Sequence, residues 1–233
     1  MTEAPGFRLQ ALVAMAERPI VFRAAKMLAG CLTTAGEATW SIDYAFADEI
    51  GDLDPAGPAI VITSLLQEVE RLDEPWAAHE ARLRELYTEL SRDPERSVYV
   101  CTVFRHIDAA TPRRQDRLLR IRRLNLLAAT LSHELGVLVA DLDRDLADTG
   151  AQNLQTDYRL QGPYATAAAA KSLALTMLLV GLDHAVPFDA QEKARRLLKS
   201  FKLKLAAPVP QRRYLIGEMV RRVEAGGVAQ VVL

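Results

Sequence analysis

Cysteine is nearly missing from the 233 residues: Cys31 and Cys101 are the only two. A pair so far apart builds no disulfide framework and has no metal-ligand spacing. There is no H-x-x-x-H, no C-x-x-C and no repeated carboxylate ladder, so no metal is expected. No G-x-G-x-x-G follows a strand, and Gly226-Gly227 stand too late for a nucleotide fold, so no cofactor is expected either. No apolar run approaches the roughly 20 residues of a spanning helix. Leu9 to Ala16 is apolar but has no basic leader, which argues against a signal peptide. Together these absences lead to the expectation of a reduced, soluble, cytoplasmic protein.

What is present is a globular composition, 50% hydrophobic and 25% charged. The formal net charge of −1 hides an asymmetry: residues 1–110 hold 10 Lys/Arg against 18 Asp/Glu, and residues 111–233 hold 19 against 12. Two clusters carry the positive excess. Residues 113–123 (RRQDRLLRIRR) have six Arg and one Asp, and residues 189–222 have ten Lys/Arg and three acids.

Short β-rich runs alternate with longer helical patterns. Strands are expected at Phe7–Ala14, at 37–42, at Pro58–Ser64, at Ser97–Phe104 and at Val137–Asp141. Helices are expected from Glu17-Arg18-Pro19 to Gly30, from Asp43 to Ile50, over 75–92, over 115–135 with Gly136 as its stop, and from Pro163 to Leu182. Parallel strands need crossovers, so the pattern implies an α/β, three-layer fold with a five-stranded parallel sheet. It covers residues 1–185. Residues 186–233 read as a basic helical appendage: a capping box Asp189-Ala-Gln-Glu192 opens one amphipathic helix, and a second basic helix spans 211–224.

The strand SVYVCTVF, the helix RIRRLNLLAATLSHELGV with its Asn125, the strand leading into VLVADLDRDL and the loop TDYRLQGPYA before the last helix are similar to the SGNH/GDSL hydrolases. These are flavodoxin-like esterases and acyltransferases. The resemblance implies a Gly-Asp-Ser nucleophile after the first strand, where this chain has Ala14-Met15-Ala16. It implies an oxyanion-hole Gly near Trp40–Ser41 and a G-x-N-D block where Thr63-Ser64-Leu65-Leu66 stand. It implies a D-x-x-H pair that here reads Asp157-Tyr158-Arg159-Leu160, an acid without its base. Acyl transfer needs a nucleophile, a base in reach and oxyanion donors. The expectation is therefore a non-catalytic accessory or binding protein.

Ligands of open α/β sheets sit at the carboxyl ends of the strands. That rule singles out Ser64, His106 and Asp157 as an alternative, relocated catalytic set acting on acyl esters; the plainer reading makes Ser64 a helix cap, His106 a loop residue and Asp157 a turn residue. Asp141, Asp143 and Asp145 read as a strand end and helix start, not a Mg²⁺ site. The basic 189–222 region is expected to pack on its own domain, or to meet a protein partner or a second copy. An anionic surface ranks behind these, and no nucleic-acid motif accompanies the charge.

Overall fold

The computed structural model describes residues 5–36, 38–54 and 60–203, together with the backbone of 220–223 and 229–232. Five strands, β1 (Gly6–Leu12), β2 (Ser41–Phe46), β3 (Ile60–Ser64), β4 (Ser97–Cys101) and β5 (Leu138–Ala140), form one sheet in the order β2-β1-β3-β4-β5. All four pairings are parallel. This is the flavodoxin-like order, which reverses direction between β1 and β3.

The alternation of side chains along the strands builds two cores. Leu9, Ala11, Ile60, Ile62, Tyr99 and Cys101 face one side, with helices α1 (Arg18–Ala35), α6 (Pro163–Met177) and α7 (Phe188–Ser200). Val61, Val98 and Val100 face the other, with α2 (Trp76–Leu90) and α3 (Arg114–Leu135). A period of two on the strands thus meets periods of 3.6 on the helices, as a doubly covered sheet requires. The stripe Ile121, Leu124, Ala128 and Leu131 of α3 lies in the second core, and Gly136 stops that helix in the left-handed region at φ 72°. The Ala-rich face of α6, from Ala165 to Ala174, lets it lie close against α1.

Five local expectations are corrected. The segment expected to be helical from Asp43 is strand through Phe46, because β1 pairs with it along six residues. Its rings find partners there, with Tyr44 edge-on to Phe22 at 5.5 Å and Arg18 over Phe46 at 5.0 Å. Helix α1 runs through Gly30 to Ala35 and ends at Gly36, whose N–H bonds to the Leu32 carbonyl; one glycine with open space beside it does not break a helix whose face is buried. Helix α6 ends at Met177 instead of Leu182. Helix α7 starts after Pro187 with no side-chain cap; Glu192 pairs with Arg195 at 2.7 Å instead of reaching back. Residues 220–223 are a strand antiparallel to Ala229–Val232, not helix; the remainder of the expected 211–224 helix lies outside the described residues.

Helix α7 packs Ala194 and Leu198 into the core against α1, while Lys193, Arg196 and Lys199 stay exposed. The acidic first half finds its counterpart within the fold. Arg113 pairs with Asp73 at 2.7 Å and Arg117 with Glu70 at 2.7 Å, while in the opposite sense Arg84 of α2 pairs with Glu134 of α3. Arg120 is buried, donating to the carbonyls of Arg71 and Glu74 at 2.8 and 2.9 Å. No helix among the described residues is long and apolar enough to cross a membrane.

Candidate functional site

Two places at the carboxyl end of the sheet hold chemistry-bearing side chains. The first is the point between β1 and β3 where strand order reverses. After Leu12 the chain turns through Ala14 into a 3-10 turn, Met15–Glu17, that leads directly into α1. Met15 points outward and is 77% exposed, whereas Glu17 turns inward and is buried. Its carboxylate accepts the Ser64 hydroxyl at 2.5 Å and the Ala14 N–H at 3.3 Å. Burial pushes the Glu17 carboxyl up to about 7, more than those two bonds lower it. Ser64 in turn accepts the Leu66 N–H at 3.1 Å, so it caps the turn after β3.

The second place is a cavity of about 540 Å³ beyond β4 and β5, lined by His106, Asp108, Ala151, Gln152, Gln155, Thr156, Asp157, Arg159 and Gln161. The loop after β4 is held rigidly on its inner side. Asn125 of α3 brackets Val103, donating to its carbonyl and accepting its N–H, both at 2.8 Å. Asp143 accepts the Arg105 N–H at 2.8 Å and pairs with its guanidinium at 2.5 Å. Asp141 caps α4 (Leu142–Thr149) by accepting the Arg144 N–H, as its place at a strand end suggests, and the short α5 (Ala151–Leu154) follows.

The opposite wall is the segment 155–162. Tyr158 and Leu160 are its buried anchors, while Gln155, Asp157, Arg159 and Gln161 turn toward the cavity. Tyr158 donates its hydroxyl to Glu70 at 2.5 Å, and burial raises that phenol to about 12. The Arg117 guanidinium holds the Glu70 carboxyl below its ordinary range. The Tyr158 N–H donates to the His106 carbonyl at 2.7 Å, tying the two walls together. Gln155 and Leu160 hold φ of 51° and 52°, a conformation such residues seldom adopt without support around them.

The three residues singled out from sequence thus divide. His106 and Asp157 line one cavity, but the His106 ring faces Asp108 at 3.7 Å and the Asp157 carboxylate holds Arg159 at 2.8 Å. Ser64 lines neither this cavity nor its neighbour of about 400 Å³ between Phe104, Leu118 and Asp143. Its hydroxyl goes to Glu17. Leu160, where the family resemblance puts a base, is 3% exposed inside the first core. Sequence reasoning missed Glu17, Tyr158 and the three glutamines. Glu17 had a usable signal, a lone carboxylate just past an apolar first strand. Among the described residues no group of three or more His, Cys, Asp or Glu is placed to hold a metal ion.

No protein-family model and no curated protein matches the chain. Solved structures do. A GDSL-like lipase candidate from Parabacteroides merdae superimposes with a TM-score of 0.58 at 12% identity, over 77% of this chain and 98% of the other. The fold is SGNH/GDSL-like. An α/β hydrolase from the metagenome of Lake Arreo matches at TM-score 0.51 and 15% identity, over 82% of this chain and 98% of that one. An acetyl xylan esterase matches at TM-score 0.51 and 15% identity, over 71% and 97%. At such identities the SGNH/GDSL-like likeness is one of architecture, in a divergent chain.

Proposed function

We propose that this SGNH/GDSL-like protein is a non-catalytic binding protein whose ligand enters the cavity between His106 and Arg159. The observation that carries the reading is Leu160: the position that a catalytic base would occupy is filled by a core side chain and faces no solvent. A base must reach the proton it takes, and the remaining histidine beside the cavity has an aspartate for its neighbour and no hydroxyl nucleophile among its hydrogen-bond partners. The exposed basic face of α7 belongs to the same reading, as the docking side for a protein partner or a second copy.

One observation favours a second reading, an ester hydrolase or acyltransferase with a relocated site. The Ser64 hydroxyl already donates to a carboxylate that is half-protonated near neutral pH, which is the form of a nucleophile and its base. A fluorophosphonate probe and p-nitrophenyl acetate separate the two. No labelling and no turnover above the rate in buffer are expected. Labelling that disappears in Ser64→Ala overturns the non-catalytic reading.

A further inference from the structure

The chemistry of the larger cavity narrows what it can take. Of its nine lining residues only Ala151 is apolar, so an acyl chain or an aromatic ring would find little to cover it. Its charges are matched in place: Asp157 holds the Arg159 guanidinium through Nε at 3.0 Å and Nη2 at 2.8 Å, and Asp108 stands before His106. A phosphate or carboxylate would meet two carboxylates, and a cation would meet a guanidinium. Neither sign of charge gains much by entering.

What remains is a set of flat, two-ended hydrogen-bonding groups. Gln152, Gln155 and Gln161 each carry a carboxamide with an acceptor and two donors, and none of these is bonded to another described side chain or to the backbone. Arg159 and the two aspartates add planar groups whose adjacent atoms suit a pair of neighbouring hydroxyls. The wall that presents Gln155, Arg159 and Gln161 is anchored from behind by Tyr158 and Leu160, so those groups stand on a fixed backbone. A ligand bound there has to order the side chains but not the backbone that carries them.

We infer that this cavity binds a neutral polyhydroxylated ligand, a saccharide, through the carboxamides of Gln152, Gln155 and Gln161 and the Asp157–Arg159 pair. The inference rests on the reading of the cavity as the ligand site, and not on whether the protein turns its ligand over.

The test uses the full chain and saturation-transfer NMR with titration calorimetry. The probes are neutral oligosaccharides of xylose, of glucose and of N-acetylglucosamine, with inorganic phosphate and an oligogalacturonate as charged counterparts. At least one neutral probe is expected to bind. The double variant Gln155→Ala/Gln161→Ala, folded by circular dichroism, is expected to bind it about tenfold more weakly or worse, as loss of two hydrogen-bonding groups implies. Arg92→Ala, exposed after the end of α2 at the amino end of the sheet, is expected to bind as the wild type does. Binding by no neutral probe, stronger binding by a charged one, or binding that the double variant leaves unchanged overturns the proposal. The same titration on Ser64→Ala keeps the two readings apart. Fluorophosphonate labelling of the wild type together with saccharide binding by Ser64→Ala defeats the non-catalytic reading and leaves this one standing. The absence of both labelling and binding does the reverse.

Discussion

The Ser64 hydroxyl donates to the buried Glu17 carboxylate at 2.5 Å and so joins the turn after β3 to the turn after β1. That contact spans the place where strand order reverses, the crevice that open α/β sheets use for ligands. Its stability consequences can be read out directly.

Burial raises the Glu17 carboxyl from 4.5 to about 7. Below 4.5 the group is protonated in both the folded and the unfolded chain and contributes no pH dependence. As the pH climbs from there to 7, the unfolded chain gives up the proton first and folding stability falls. Above 7 the penalty is complete and, from that shift, on the order of 3 kcal/mol at most. Glu17→Gln removes the titration. In urea unfolding it is expected to match the wild type at pH 4 and to exceed it at pH 8; an equal pH slope in both proteins would refute this.

Ser64→Ala takes away one of the two bonds that lower the Glu17 carboxyl and leaves the Leu66 N–H without its cap. A loss of about 1–2 kcal/mol is expected. The pH range over which stability declines is expected to move upward. Urea midpoints from pH 5 to 9 check both.

Leu160→His puts an imidazole where the resemblance asks for a base. Leu160 is 3% exposed among the apolar side chains of the first core. The polar ring has no partner there, so a cost of about 2–4 kcal/mol is expected, with no gain in ester hydrolysis. Thermal unfolding and p-nitrophenyl acetate turnover measure the two arms. A stable variant that hydrolyses the ester would contradict the assignment of this position to packing.

Gly181 has φ 89°, and an added Cβ there would collide with the Tyr99 hydroxyl and Leu138. Tyr99 donates to the Val180 carbonyl at 2.5 Å and Ser97 to the Gly181 carbonyl at 2.9 Å, so the segment has no room to retreat. Gly181→Ala is expected to cost about 2–4 kcal/mol, seen as a drop in the urea midpoint.

How much of this was legible beforehand follows the range of the interactions involved. The apolar, β-branched runs at Ile60–Ser64 and Ser97–Cys101 and the stripe on α3 are legible because each pattern is local. Asn125 stands out in the sequence only as part of a motif, whereas in the fold it closes both backbone bonds of Val103 and sets the loop that carries His106. The strand at Asp43–Phe46 was lost because its stability comes from β1, thirty-odd residues away. The inward turn of Glu17 was likewise invisible, since it depends on Ser64 across the sheet. The charge asymmetry was visible as a sum, but not as the pairs Arg113–Asp73 and Arg117–Glu70 that absorb part of it.

The bond from the Tyr158 N–H to the His106 carbonyl has a kinetic consequence. It joins the wall after β4 to the wall before α6, so opening or closing one wall pulls on the other. On the proposed reading, a ligand arriving there finds the two walls already joined and needs no closure to bind. Arrival is then set by diffusion and orientation, and differences between ligands fall on how long each one stays.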